Sequence, residues 1–350
     1  MESTSHAANL DCLRAFAVLA VAADHGYAWH LTLHPETHGL PMVGNVGHAG
    51  VLAFFVHTSL VLMWSLQRIN PEGRALAFYV RRAFRIYPLS VLIVIAALLL
   101  KIPAAPELGV HFHAFPPIAV AANLLLVQNV IGRVQLLNPL WSLPYEVDMY
   151  VVLPFLFLLA LKPKSGRVIF ILWLAFVAAG TGVFILTGHA NMFAYIPCFL
   201  GGIFAFAVRS ARRAVLPAPI WPLALLAWFL GISYLVRSPS LDILVQGSFC
   251  LALGAAIPLF QESRARAFNA ITAAIAKYSY GVYLCHLPVL WALHRVWTPQ
   301  HEFLGYFLWA CGTALTSFLL FHLAEDPMIR LGKRLAASLR PLRTTVPAEV

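Results

Sequence analysis

Ten apolar runs, each long enough to cross a lipid bilayer, constrain this chain more than any other feature of its sequence. A membrane-spanning helix needs about 20 apolar residues. Runs of this kind occupy approximately residues 9–30, 47–67, 84–101, 141–161, 168–187, 193–208, 217–236, 241–260, 279–297 and 302–324. Charged residues make up only 11% of the chain, against about 25% in soluble proteins. The sequence therefore predicts an all-α, polytopic integral membrane protein in a lipid bilayer.

Basic residues predict the direction of these runs. Lys and Arg cluster in segments 68–85, 162–167, 209–213 and 261–277 and in the C-terminal tail, whereas 31–46, 188–192 and 298–301 contain none. Cytoplasmic loops of membrane proteins carry such an excess. All the basic segments fall on one side only if a shorter eleventh run near 117–131 does not span, so we expect that run to be re-entrant or interfacial. Both termini are then cytoplasmic.

The net charge of +10 comes from the same excess of Lys and Arg in the predicted cytoplasmic segments. On a soluble protein it would suggest nucleic acid, but here the basic cytoplasmic loops account for it, so no nucleic-acid partner is expected. The five cysteines lie within apolar runs and have neither disulfide nor metal-site spacing, so no metal is expected either. We predict one transmembrane domain over residues 9–330, with a short cytoplasmic tail at 1–8 and a basic cytoplasmic tail at 331–350.

The first run, LDCLRAFAVLAVAADH, carries four ionisable side chains, at Asp11, Arg14, Asp24 and His25. Arg14 and His25 are eleven positions apart, so they share one helix face at about 16 Å along the axis. Such a polar stripe is costly against lipid and should face the bundle interior or a cavity. The alternative is a surface pair between Asp11 and Arg14, with His25 satisfied in the core.

Two arginines, Arg82 and Arg85, lie three residues apart in the stretch FYVRRAFRIYPL. This spacing points both side chains to one side of a predicted helix start at the cytoplasmic boundary. Two guanidinium groups there suit a multiply charged phosphate ligand, which they can bind through bidentate hydrogen bonds. The alternative is an ordinary basic anchor at the membrane surface.

Later runs carry a glutamate and a histidine. Glu146 follows Pro144 into the fourth run, where it could orient a histidine, bind a hydroxyl acceptor or neutralise an arginine. His286 lies in the ninth run, two residues before Pro288. This proline is expected to kink the helix and to free backbone carbonyls near the histidine.

Together these stretches resemble the membrane-bound acyltransferase-3 family, whose members O-acylate glycans and other acceptors. The resemblance is carried, in order, by LDCLRAFAVLAVAADH, GVLAFFVHTSL, RRAFRIYPL, LWSLPYEVDMYVVLP, SYGVYLCH and EDP, and it covers about residues 9–330. The family's functional positions match Arg14, His25, Arg82, Arg85, Glu146 and His286. One departure lies in the second run, where FFVHTSL lacks the family's glycine after Ser59. This leaves close helix packing there in doubt, or indicates a changed acceptor pocket.

The resemblance implies an acyl-CoA donor, most often acetyl-CoA, and a saccharide or other hydroxyl-bearing acceptor at a bacterial inner membrane. Arg82 and Arg85, with Arg14, would hold the phosphates of the donor. His25 would act as general base or would form an acyl-histidine. Glu146 would orient the imidazole or the acceptor, and His286 or Arg14 would stabilise the oxyanion. A proton-coupled transporter or flippase is the alternative, against which the absence of an internal repeat counts.

Overall fold

The computed structural model describes residues 8–37, 39, 45–69, 71, 73–188, 192–209, 214–236, 239–296 and 301–339. These residues form twelve α-helices: α1 Ala8–Leu33, α2 Val46–Arg68, α3 Arg74–Leu100, α4 Pro117–Leu125, α5 Leu143–Ala160, α6 Ser165–Thr187, α7 Met192–Val208, α8 Trp221–Leu235, α9 Pro239–Ala256, α10 Arg266–Val296, α11 Glu302–Leu320 and α12 Asp326–Ser338. The described residues contain no strand, only an isolated β-bridge between Leu216 and Phe260.

Seven helical segments in the described part of the chain are long and apolar enough to cross a membrane. They are Val46–Arg68, Arg74–Leu100, Asn138–Ala160, Ser165–Thr187, Ala218–Leu235, Asp242–Leu259 and Glu302–Ser338. Each of the ten predicted runs overlaps a helix in the described part of the chain, and the three runs outside this set fall on α1, α7 and α10. Helix α7 has only 17 residues, and α1 and α10 carry the polar side chains of the site. The prediction of an all-α, polytopic membrane protein is confirmed.

Several helix ends differ from the ends of the apolar runs. Helix α3 begins at Arg74, ten residues before the run at 84–101, and α10 begins at Arg266, well before the run at 279–297. Helix α12 extends into the predicted C-terminal tail and packs against α3. The physical reason is that apolar content marks the part of a helix inside the membrane, while the backbone stays helical beyond it.

The segment near 117–131 does not span. Its helix, α4, has nine residues and is therefore about 13 Å long, against a hydrocarbon core of about 30 Å. The helix ends where Leu126 adopts the left-handed conformation, with φ of 55°. The buried Asn123 then holds the returning chain, because its Nδ2 donates to Val134 O at 2.9 Å and its Oδ1 accepts from Leu136 N at 3.0 Å.

Helix α7 lies at the centre of the bundle and packs against α2, α6 and α9. A Cβ atom at Gly202 of α7 would lie 2.9 Å from the backbone nitrogen of Leu60 in α2. The close packing that the FFVHTSL motif left in doubt is therefore present. A close helix crossing needs a small residue on only one of the two helices, and α7 supplies it.

Helix α1 lies between α2 and α10. This position turns its ionisable side chains towards neighbouring helices. Asp24 accepts a hydrogen bond from the backbone N–H of Gly47 in the first turn of α2. There it satisfies one of the donors that a helix start leaves without a partner within the helix. The packing of α1 therefore places the carboxylate of Asp24 against the start of a neighbouring helix.

Candidate active site

A cavity of about 110 Å³ brings together four of the six predicted site residues, Arg14, Arg82, Arg85 and Glu146. Helices α1, α2, α3, α5 and α10 form its wall. The wall also includes His57 and Thr58 from α2, Tyr150 from α5, and Tyr280 and Tyr283 from α10. His57 belongs to the stretch that departs from the family pattern, so the departure adds an imidazole to the cavity.

Arg82 and Arg85 both face this cavity, as their spacing predicts. They do not lie at a helix start, because α3 begins eight residues before Arg82, and that part of the prediction was wrong. The buried Nε atoms of Arg14 and Arg82 have no hydrogen-bond partner in the described residues. Two guanidinium groups therefore keep donor capacity beside the cavity, and an anionic ligand could use it.

Arg85 forms an ion pair with Glu325, which is buried to 2% exposure. Its guanidinium carbon also lies 5.4 Å from the ring centroid of Tyr280. Glu325 ends the π-helical turn Phe321–Glu325 between α11 and α12, and such turns are frequent at functional sites. Glu325 is the first residue of the motif EDP, from which no role for it could be predicted.

Glu146 lies with the arginines, and Tyr150 donates a hydrogen bond to its Oε1 at 2.5 Å. Tyr150 is one helical turn further along α5. Of the roles predicted for Glu146, neutralising arginine fits this position best. The side chain that hydrogen-bonds to the imidazole of His25 is His286.

His25 and His286 form a hydrogen-bonded pair. His25 Nδ1 lies 2.7 Å from His286 Nε2, and the two rings lie end to end and nearly coplanar, with centroids 5.0 Å apart and an angle of 16° between their planes. His286 Nδ1 lies 3.0 Å from the carbonyl oxygen of Val282. Because a carbonyl only accepts, Nδ1 of His286 carries the proton and its Nε2 accepts from His25 Nδ1. The proton of neutral His25 is thus on Nδ1, and its Nε2 has the basic lone pair.

Asn138 and Glu107 lie beside this basic nitrogen. Asn138 Nδ2 lies 3.5 Å from His25 Nε2 and donates to Glu107 Oε1 at 2.5 Å. Glu107 is 1% exposed, and its burial raises the pKa of its carboxyl group, against the opposing effect of the Asn138 hydrogen bond. Sequence reasoning missed both residues. Glu107 belongs to no motif in the sequence. The only indication that Asn138 contributes to the site was its position just before the motif LWSLPYE.

The histidine pair and the cavity are neighbours. Tyr283 lines the cavity, and its ring centroid lies 6.5 Å from that of His286. Its hydroxyl is 2.7 Å from Ser142 Oγ, which also lines the cavity. Tyr283, with Ser142 hydrogen-bonded to it, thus connects the wall of the cavity to His286.

A family model described as an acyltransferase domain matches residues 7–322. The chain belongs to this acyltransferase-3 family. It is also 24% identical to "Nodulation protein 10" of Rhizobium leguminosarum bv. viciae, over 96% of this chain and 96% of that protein. No solved structure matches the chain.

This acyltransferase therefore transfers groups other than amino-acyl groups, within a membrane, from an acyl donor to an acceptor. Its site has two chemically distinct parts. The cavity carries three arginines and suits an anion, whereas the histidine pair presents one basic nitrogen and suits proton removal.

Proposed function

We propose that the enzyme is an integral-membrane O-acyltransferase. It transfers an acyl group, most often acetyl, from acyl-CoA to a hydroxyl group of a saccharide or similar acceptor. His25 is the general base. The observation that carries this proposal is an arginine-lined cavity next to a histidine whose tautomer is fixed by a chain of hydrogen bonds.

The donor site is the arginine-lined cavity. Coenzyme A carries a pyrophosphate and a ribose phosphate, and guanidinium groups bind phosphates through paired hydrogen bonds. Arg85 is already paired with Glu325. Direct contacts with the donor therefore fall to Arg14 and Arg82, whose Nε donors are unused within the described chain.

The reaction needs one proton transfer in each direction. His25 Nε2 takes the hydroxyl proton as the acceptor oxygen attacks the thioester carbonyl. The tetrahedral intermediate collapses to an ester and expels coenzyme A, whose sulfur receives the proton back from His25. During this cycle the imidazolium donates from Nδ1 to His286 Nε2, and a charged hydrogen bond of this kind stabilises the ion.

His286 is accordingly a positioning residue in this mechanism. Its Nδ1 proton is used by Val282 O, and its Nε2 is an acceptor, so it has no free N–H for the oxyanion predicted from the sequence. The amide of Asn138 is the N–H donor beside His25 Nε2. We assign to it the hydrogen bond to the acceptor or to the oxyanion.

The arginine end of the site belongs to the cytoplasm in this proposal. The basic segments support that direction, and acyl-CoA is a cytoplasmic metabolite. The protein would then be a multi-pass protein of a bacterial inner membrane with both termini in the cytoplasm. One transmembrane acyltransferase domain over 9–330 remains part of the same proposal.

Binding of acetyl-CoA to the purified protein in detergent tests the donor site. Calorimetry should find saturable binding by the wild type and at least tenfold weaker binding by Arg82→Ala. We choose this single variant because loss of Arg85 would leave the buried Glu325 unpaired. Arg330→Ala is the matched control, since Arg330 is 70% exposed on α12. A folded wild type that does not bind, or an Arg82→Ala variant that binds equally well, would contradict the proposal.

A further inference from the structure

A cluster of metal-ligating side chains lies at the other end of α1 from Arg14. His30 and His34 are one turn apart near the end of α1, and Glu302 is the first residue of α11. His30 Nδ1 lies 2.6 Å from Glu302 Oε1, and His34 Nε2 lies 3.4 Å from Glu302 Oε2. One ligand atom from each residue can be chosen so that all lie within 4.8 Å of one another.

The orientation of His34 suits metal binding. Its Nδ1 lies 3.2 Å from Glu36 Oε1, and a carboxylate at this position holds the proton on Nδ1. The lone pair is then on Nε2, the atom that faces Glu302. Metal-binding histidines nearly always donate their second N–H to such a partner, which fixes the tautomer and the ring orientation.

Glu302 is also held in place. Tyr306, one turn further along α11, donates to Glu302 Oε1 at 3.3 Å. The same hydroxyl lies 3.4 Å from the carbonyl oxygen of Gly26 in α1. Tyr306 thus ties the carboxylate to α1, which carries His30 and ends immediately before His34.

We infer that His30, His34 and Glu302 bind a divalent transition-metal ion, with Zn²⁺ as the best fit. Two imidazoles and one carboxylate form a frequent three-ligand zinc set, with metal bonds of about 2.0–2.2 Å and a fourth position for water. Tetrahedral ligands at that distance are about 3.3 Å apart, close to the spacing between His34 Nε2 and Glu302 Oε2. Binding the ion requires that the short contact between His30 and Glu302 open and that the three side chains close around the metal, which takes the place of the proton between His30 and Glu302.

The proposed ion would join α1, which carries one histidine of the pair, to α11, which supports the other histidine from outside α10. Helix α1 carries His25, and Trp309 of α11 donates from Nε1 to the carbonyl oxygen of His286 at 2.8 Å. A bond from α1 to Glu302 would therefore fix both supports of the pair. This role is structural, and it is independent of the proposed donor and acceptor.

Titration of the metal-free protein with ZnCl₂ tests the inference. The full-length protein, freed of any polyhistidine tag, should bind about one equivalent of Zn²⁺ and should melt at a higher temperature when it is bound. His34→Ala and Glu302→Gln should each weaken binding at least tenfold and abolish the thermal shift. A double His111→Ala/His113→Ala variant is the control, because these exposed histidines lie outside the cluster.

A further variant keeps the test valid if those substitutions prevent folding. The Glu36 side chain is 72% exposed, so Glu36→Gln should fold normally. Loss of this supporting carboxylate should weaken zinc binding about tenfold, as outer hydrogen bonds to metal-binding histidines do. The inference is overturned if the folded wild type binds no stoichiometric zinc, or if the Glu36, His34 and Glu302 variants all bind zinc like the wild type.

Discussion

Replacing Glu325 by glutamine should destabilise the enzyme by about 3 kcal/mol, because it leaves the Arg85 guanidinium without its buried carboxylate partner. The Glu325 side chain is 1% exposed and that of Arg85 is 19% exposed. Breaking a buried ion pair on one side costs about 3–5 kcal/mol. We expect the lower end of that range, because Arg85 keeps some contact with solvent.

Arg14 and Arg82 make the loss of Glu325 worse. Both line the same cavity as Arg85, so loss of the Glu325 charge leaves three neighbouring cations, with Glu146 as the acidic residue of the cavity wall. A loss of about 3 kcal/mol in the free energy of unfolding should lower the melting temperature by about 6 °C, at roughly 2 °C per kcal/mol for a chain of this length.

A thiol-reactive dye can report the transition. Cys12, Cys198, Cys250 and Cys285 are free and buried, so unfolding exposes four new thiols. Asp326→Asn is the matched control, because Asp326 pairs with the 70% exposed Arg330. A helical surface pair of that kind contributes only about 0.3–0.5 kcal/mol, so this variant should melt within about 1 °C of the wild type.

A double-mutant cycle separates the pair from general damage. If Arg85 and Glu325 act together, the Arg85→Gln/Glu325→Gln double variant should lose less stability than the sum of the single variants, by about 1–3 kcal/mol. The reasoning is refuted if Glu325→Gln melts within 1 °C of the wild type, or if the two single effects simply add.

Three further predictions concern the histidine pair, the carboxylate beside it and the helix packing. His286→Leu removes the acceptor of His25 Nδ1–H, a charged hydrogen bond of about 1.5–3 kcal/mol. The rate of acyl transfer should therefore fall about 10- to 150-fold, while the affinity for the donor stays unchanged. His286→Gln should recover part of the rate. A loss below threefold in His286→Leu would contradict the positioning role of His286. Glu107 has a raised pKa in the folded state, so its contribution to stability is present at low pH and is lost as the pH rises through that pKa. The wild type carries this penalty at pH 7 and Glu107→Gln does not. The melting temperature of Glu107→Gln minus that of the wild type should therefore be larger at pH 7 than at a pH below the ordinary glutamate pKa of about 4.3. An equal difference at both pH values would contradict the raised pKa of Glu107. Gly202→Ala should lower the melting temperature by several degrees, since overpacking costs about 1–3 kcal/mol, whereas Gly182→Ala, which meets no atom within 4 Å, should not; equal melting of the two variants would contradict the packing.

The physical requirements of membrane insertion allowed the fold class to be predicted from the sequence. Spanning helices must be long and apolar, and cytoplasmic loops must be basic, so the helical class and the short segment near 117–131 both followed from composition along the chain. The starts of α3 and α10 did not follow. Both helices begin well before their apolar runs, in polar segments where hydropathy does not mark the start of a helix.

Local spacing also predicted part of the site. The interval between Arg82 and Arg85 placed both side chains on one side of α3, and they line the cavity together. The partner of Arg85 is 240 residues away in Glu325, and Glu107 reaches the histidine pair through Asn138. Contacts of this kind depend on how distant helices pack, and helical periodicity in one sequence carries no information about that.

Acetyl transfer by a His25→Ala variant tests most directly whether His25 is the base. Membrane vesicles from the expressing bacterium would be supplied with radiolabelled acetyl-CoA, and label would be counted in the carbohydrate fraction. The variant should bind acetyl-CoA like the wild type, while transfer falls at least about a hundredfold, the smaller contribution of a general base. Transfer within threefold of the wild-type rate would contradict the assignment of His25 as the catalytic base.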